Sequence, residues 1–339
     1  MPERYIYWLE ELGQEFSPLV GKKCANLGEI ARIRLPCPPG FAISVEAYEY
    51  FMNETGALQE IKDYLVQFKD GLKTIDQFDE ASREIRRIVE GKALPEKLRG
   101  EIISCYNDLC EKCEVTEVPV STRSAGPVSH PGQYETYLNV KGKSELLEKV
   151  KKVWSSTFNP RSLSFRTQKG LSLESDPIGV AVVKMVNART AGVLFTADPN
   201  TGDTSKMIIE ANWGLGESVV GGEVIPDSYV LDKESLEVVK KTLGQKTRHV
   251  CFSETGVTEE ETPTDKCSTF CLSDEEIKEI GKLGKILEKH FSAPQDVEWA
   301  VDENLPFPQC IILLQSRPVV ISSRKSPVDQ VVDYMLRQF

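Results

Sequence analysis

Two short segments near the end of this 339-residue chain bring together groups suited to a metal-bound triphosphate: Pro294-Gln295-Asp296-Val297-Glu298-Trp299 and Leu313-Leu314-Gln315-Ser316-Arg317-Pro318. Side chains alternate along a strand, so Asp296 and Glu298 share one face, and so do Gln315 and Arg317. On neighbouring strands the four would set two carboxylates and an amide beside a guanidinium. Magnesium takes oxygen ligands, and arginine forks onto phosphate.

Other segments offer phosphate contacts. Val20-Gly21-Lys22-Lys23 puts lysines on a flexible approach to a helix, where Lys22 or Lys23 can reach a phosphate as a point charge. Thr122-Arg123-Ser124-Ala125-Gly126 reads as a loop after a strand spanning Val118 to Ser121. Its small residues let a phosphate approach the backbone, and Arg123 can bind the oxygens. An ordinary turn with a surface arginine reads equally well from that segment alone. Asn212-Trp213-Gly214-Leu215-Gly216-Glu217 and Gly221-Gly222 suggest constrained turns. Neither the dinucleotide fingerprint nor a Walker A loop is present. Gly142-Lys143-Ser144 matches only the end of the latter, because Tyr137 stands in place of its leading glycine.

The elements that must position these groups follow from pattern. Residues 1 to about 110 read mainly as helices around the loop-rich segment VGKKCANLGEIARIRLPCPPGFAIS, which holds a short helix over NLGEIARI and a strand from Phe41 to Ile43. Leu146, Leu147, Val150, Trp154 and Phe158 predict a helix from Lys143 to Phe158. From Ile178 the chain becomes β-rich, with IGVAVVKMV, GVLFTAD, KMIIEAN and DSYVLD as short strands. Ser273-Asp274-Glu275-Glu276 is a capping box opening a helix through Phe291. After Pro318, Ser326 and Pro327 start a last helix. Its face of Val328, Val331, Val332, Met335, Leu336 and Phe339 would dock on the chain's own body or on a partner.

Composition narrows the function classes. A formal net charge of -11 argues against general binding to nucleic acid or anionic membrane. No apolar run reaches transmembrane length and the first residues lack a signal-peptide core, so the expected compartment is the cytoplasm. The nine cysteines are then expected to be reduced. Cys105, Cys110 and Cys113 have a spacing found in part of a ferredoxin cluster motif. A plain helix, EKLRGEIISCYNDLCEKC, accounts for the same spacing. His249 and His290 have no motif around them and read as structural or solvated.

Six ordered blocks resemble a known family: VGKKCANLGEI…PCPPGFAIS, STRSAGPVSHPGQYETYLNV, VVKMVNARTAGVLFTADPNTGD, IIEANWGLGESVVGGEVIPDSY, PQDVEWAVD and ILLQSRPV. They are similar to the N-terminal ATP-binding part of phosphoenolpyruvate synthase, to which pyruvate, phosphate dikinase and rifampicin phosphotransferase carry related domains. The resemblance implies an α+β, ATP-grasp fold with nucleotide in a cleft between two lobes, residues 1–186 and 187–320, followed by a tail over 321–339. It implies Mg-ATP as ligand. Lys23 resembles the lysine of the family's G-G-K motif, and Arg123 its V-R-S arginine, both phosphate ligands. Lys184, Met185 and Val186 look like the hinge whose backbone meets adenine. Glu298 and Gln315 resemble the magnesium ligands, with Asp296 and Arg317 completing that cluster. Pro127 stands where pyruvate, phosphate dikinase has an arginine.

The family's T-x-G-G-x-x-S-H phosphohistidine motif is absent. Ser129-His130 only echoes it within the ATP-lobe block. The resemblance therefore implies a partner subunit that carries the phosphohistidine. Such a form is similar to the ATP-binding subunit of phenylphosphate synthase, with phenol as final acceptor. The alternatives are a subunit of a split phosphoenolpyruvate synthase or antibiotic phosphotransferase, and a non-catalytic nucleotide sensor.

Overall fold

A computed structural model describes residues 4–68, 71–126 and 134–320. The helix expected from Ser326, together with Pro127 and Ser129-His130, lies outside the described residues. The chain divides into two compact units. The first is Met1–Met185 with Phe252–Val257, and the second is Val186–Cys251 with Thr258–Phe339. Mixed helix and sheet agrees with the α+β expectation. Among the described residues no helix is long and apolar enough to cross a membrane.

In the first unit, β1 (Ile6–Trp8), β2 (Gly40–Ile43), β3 (Val120–Ala125), β4 (Thr136–Val140) and β5 (Gly179–Lys184) form an antiparallel sheet of order β1-β2-β5-β3-β4. Around it lie α1 (Ser17–Val20), α2 (Lys22–Arg32), α3 (Val45–Glu54), α4 (Ala57–Leu65), α5 (Ile75–Gly91), α6 (Glu96–Lys112), α7 (Lys143–Ser155) and α8 (Pro160–Lys169). The apolar stripes meet in one core. There Trp154 of α7 stacks on Phe51 of α3 with ring centroids 5.1 Å apart, and Tyr48 meets it edge-on at 6.0 Å. Such aromatic pairs add about 0.5–1.5 kcal/mol beyond their buried area. The predicted helix from Lys143 is α7, with its last turn, Ser156–Phe158, tightened to 3-10 geometry.

Two expectations about the first unit are corrected. Arg123 does not follow a strand but lies inside β3, paired with Ala181 of β5 and Thr136 of β4. Its Ser and Ala neighbours look like loop residues, yet small side chains are what a strand flanked on both sides accommodates. The lysines do not precede a helix either, because α2 begins at Lys22 and both occupy its first turn. The triplet Cys105, Cys110, Cys113 lies along and just past α6, and all three thiols are free. Cys110 faces inward, its sulfur 3.5 Å from the Val118 amide.

In the second unit, β6 (Ala188–Phe195), β7 (Lys206–Trp213), β8 (Asp227–Asp232), β9 (Val238–Thr242), β12 (Gln295–Asp302) and β13 (Ile311–Pro318) form a second antiparallel sheet. Its order is β13-β12-β6-β7-β8-β9. A separate two-stranded ribbon is made by β10 (Arg248–Phe252) and β11 (Val257–Glu261). Helices α9 (Glu217–Val220), α10 (Thr264–Cys267) and α11 (Asp274–Phe291) complete the unit. The capping box opens α11 as predicted: Ser273 Oγ accepts from the Glu276 amide at 3.2 Å, and Glu276 accepts from the Ser273 amide at 2.8 Å.

Helix α11 covers one face of this sheet. A Cβ on its Gly284 would stand 2.3 Å from Leu194 Cδ2, and one on Gly281 would stand 3.0 Å from Leu231 Cδ2. These glycines, three residues apart on one side of the helix, let it sit down on Leu194, Met207 and Leu231. Alternation sends the residues between these to the opposite face. A fully buried ion pair, Lys246 Nζ to Asp227 Oδ1 at 2.5 Å, anchors the loop between β9 and β10. Asp227 also accepts from the amides of Gly244 at 2.8 Å and Cys271 at 2.9 Å.

Candidate nucleotide site

On the first unit, the close approach of α2 to β3 depends on Gly21. It adopts φ +81°, and a Cβ there would lie 2.1 Å from the Ala125 carbonyl oxygen. The Lys22 amide donates to the Gly126 carbonyl at 3.2 Å, fixing the start of α2 against the end of β3. Lys23 on α2 and Arg123 on β3 thereby both act on Cys24. Burial pushes its thiol up to about 12, and the two charges act in the opposite sense. Lys22 is exposed, whereas Lys23 is half-buried. Two cations beside a helix N-terminus suit an anion, because the first-turn amides point outward with the positive end of the helix dipole.

Lys184 closes β5, and the chain passes from the first unit to the second between Met185 and Val186. The amides of Lys184 and Met185 are already engaged, donating to Pro39 at 2.9 Å and Pro119 at 2.8 Å. Val186 accepts from the Ala188 amide at 2.9 Å.

On the second unit, the four end-of-chain groups stand on adjacent strands. Asp296 lies opposite Arg317, and Glu298 opposite Gln315. Arg317 Nε donates to Asp296 Oδ2 at 2.8 Å. The irregularity in β12–β13 pairing falls between Glu298 and Trp299, so it leaves Asp296 and Glu298 on one face. Asp296 is buried, and among the described residues its Oδ1 has no hydrogen-bond partner. Burial pushes its carboxyl up, Arg317 pulls it back, and Glu298 adds to the rise. A buried carboxylate oxygen without a partner, beside further oxygen donors, fits a cation or a ligand donor.

Cross-strand partners share a face, so this register extends the site. Glu298 pairs with Val193 of β6, which pairs with Glu210 of β7, which pairs with Ser228 of β8. Glu210 was missed in the sequence. Burial alone raises its carboxyl, and among the described residues it makes no hydrogen bond or ion pair. The available signal was a lone carboxylate in the apolar run KMIIEAN, pointing the same way as Ile208 and Asn212. Just beyond the polar row, Val186, Ala191, Ala300 and Ile312 form a small buried apolar cluster, with the partly buried Ala188 and Leu314 packed against it. The glycine turn after β7 is also explained. Gly214 adopts φ +72°, and a Cβ there would stand 2.2 Å from the Val250 carbonyl oxygen.

The first unit thus carries two cations near a helix start, and the second an oxygen-rich row next to a buried apolar cluster. The family model of the pyruvate phosphate dikinase AMP/ATP-binding domain matches residues 17–338, and the chain belongs to that family. A probable phosphoenolpyruvate synthase of Methanocaldococcus jannaschii is 39% identical over 323 residues, covering 93% of this chain and 27% of that protein. The phosphoenolpyruvate synthase of Aeropyrum pernix is 36% identical over 356 residues, covering 96% of this chain and 43% of its own. A probable phosphoenolpyruvate synthase of Archaeoglobus fulgidus is 39% identical over 334 residues, with coverages of 96% and 43%. The chain thus spans less than half the length of each of these relatives. Among solved structures, PH1788 from Pyrococcus horikoshii overlaps 78% of this chain and 98% of its own at 12% identity and a TM-score of 0.35, too low to assign a fold.

Proposed function

We propose that this chain binds Mg-ATP in an ATP-grasp manner and uses it to phosphorylate a histidine on another domain or subunit. The histidine nitrogen attacks the β-phosphorus and displaces AMP, and water then removes the γ-phosphoryl group as phosphate, leaving the β-phosphoryl group on the histidine. The observation that supports this most is the row Asp296, Glu298, Gln315, Arg317, in which Asp296 Oδ1 has no hydrogen-bond partner among the described residues. Glu298 and Gln315 would hold magnesium through oxygen. Arg317, kept in place by Asp296, would direct its remaining N–H groups at phosphate oxygens. Lys23, rather than the more exposed Lys22, would act with Arg123 on the phosphates. Magnesium, when bound, supplies charge neutralisation on the phosphate oxygens. The chain's own groups supply position: in phosphoryl transfer most catalysis is alignment and electrostatic stabilisation.

For the base, the partly buried Ala188 and Leu314, packed on the buried cluster of Val186, Ala191, Ala300 and Ile312, offer an apolar contact. Of the three hinge residues, Lys184 and Met185 have their amides engaged, which leaves the Val186 amide as the donor for adenine. The final acceptor is read by no residue identified here. Phenol, as in phenylphosphate synthase, and pyruvate, to which the relatives' names point, are therefore compared by assay.

The deciding experiment uses ATP labelled at the β-phosphate, this chain, and a phosphohistidine domain from one of the relatives. Label on the carrier histidine, with AMP formed, supports the reading, and phenol and pyruvate are then offered to the labelled carrier. Tight ATP binding with no transfer to any carrier would instead make the chain a nucleotide sensor.

A further inference from the structure

The ribbon β10–β11 is a two-stranded sheet of its own, joined to the end of β7 through Val250. A lone hairpin is marginally stable in water, so what holds its strands together matters. The bonds from the Thr262 amide to the Thr247 carbonyl at 2.9 Å and from the Ser253 amide to the Gly256 carbonyl at 3.2 Å fix its register. That register sets Glu260 opposite His249, with Cys251 two residues further along the same face. One ligand atom from each of the three lies within 4.8 Å of the other two. His249 and Cys251 are half-buried and Glu260 is exposed, so an ion can reach them.

We propose that His249, Cys251 and Glu260 form a site for a zinc-like divalent transition metal, a cross-strand clip distinct from the magnesium of the nucleotide site. The donor set is imidazole nitrogen, thiolate sulfur and carboxylate oxygen, which suits zinc; magnesium takes oxygen and rejects sulfur. Tetrahedral ligands at zinc bond lengths lie about 3.3–3.8 Å apart, so the three atoms need only a small closure. Support around the site is in place. His249 Nδ1 lies 3.2 Å from Thr262 Oγ1, which leaves Nε2 for the ion and fixes the ring by a hydrogen bond behind the ligand. The Cys251 sulfur and a Glu260 carboxylate oxygen lie within 4.8 Å of each other. Ion binding bonds both atoms to the metal and releases the thiol proton to solvent. Three protein ligands leave a fourth position for water.

The site has a neighbour that would feel it. Val250, between the two strand ligands, accepts from the Leu215 amide at 2.8 Å. It also pairs with Gly214, so the clip would stiffen the glycine turn after β7.

The test is to strip the full chain of metal, without nucleotide, and titrate it with zinc and separately with cobalt(II). One ion per chain is expected, with a thiolate-to-cobalt charge-transfer absorption. Cys251→Ser should abolish that absorption and, like His249→Ala, weaken binding at least tenfold. Thr262→Val should weaken it about tenfold, as loss of a bond behind a ligand does. Exchange of the Leu215 amide should slow when the ion is bound. Circular dichroism on both ligand variants separates lost binding from lost folding. No cobalt–thiolate absorption in the unsubstituted chain would overturn the proposal. So would binding that survives both His249→Ala and Cys251→Ser, since other thiols would then be the ligands.

Discussion

At the scale of single residues, two carboxylates on one sheet face make opposite predictions. Glu298 sits in the polar row as a proposed magnesium ligand. Glu298→Ala should cut Mg-ATP-dependent transfer by at least about a hundredfold, the range seen when one electrostatic contact to a transition state is removed. The folded state should be unchanged by circular dichroism. Transfer at the unsubstituted rate would remove Glu298 from the metal. Glu210 is different, because its burial raises the carboxyl with nothing to offset it. A carboxyl whose folded value lies above its unfolded value favours folding when protonated, and that advantage is lost as pH rises through the shifted value. Glu210→Gln should therefore melt higher than the unsubstituted chain at neutral pH without ligand. The difference should vanish below the ordinary glutamate range. Equal melting at neutral pH would mean that Glu210 finds a partner in solution.

At the scale of elements, the approach of α2 to β3 decides whether Lys23 and Arg123 act together. Gly21 makes it possible by its positive φ and its missing Cβ. Gly21→Ala should push the first turn of α2 away from Ala125 and weaken ATP binding by about tenfold or more, since misplacing a binding group by about 1 Å is costly. Isothermal titration with Mg-ATP would measure it; unchanged affinity would show that the lysines do not need this contact. The same element shows where sequence reading stops. VGKK read as an approach to a helix and TRSAG as a loop. Gly–Lys and Ser–Ala runs are common in loops, and only the pairing of β3 with both β4 and β5 makes a strand of the second.

At the scale of the whole molecule, the buried Lys246–Asp227 pair joins the β9–β10 loop to the second sheet, and Asp227 is spoken for by several donors at once. Removing one member leaves the other buried and uncompensated. Asp227→Asn should lower stability by about 3–5 kcal/mol in urea unfolding. A loss under about 1 kcal/mol would mean that the loop opens and lets water reach Lys246. This pair was invisible in the sequence: an Asp in IPDSY and a Lys in GQK lie 19 residues apart, and nothing in their neighbours marks either as buried.

By itself the sequence determined what is local and periodic. Alternation along PQDVEW and LLQSRP put Asp296 with Glu298 and Gln315 with Arg317, because the two-residue period of a strand does not depend on what packs against it. Helical spacing and a capping box located α7 and α11 for the same reason. The ordered motifs also established the family. What only the tertiary structure decided is which segments meet. Register across four strands brought Glu210 into the row of Glu298, a glycine without a side chain let the start of α2, with Lys23, close on the end of β3, and ribbon pairing set Glu260 across from His249. Contacts of that kind depend on strand order and register, and those are settled by packing of distant parts of the chain, which no local pattern encodes.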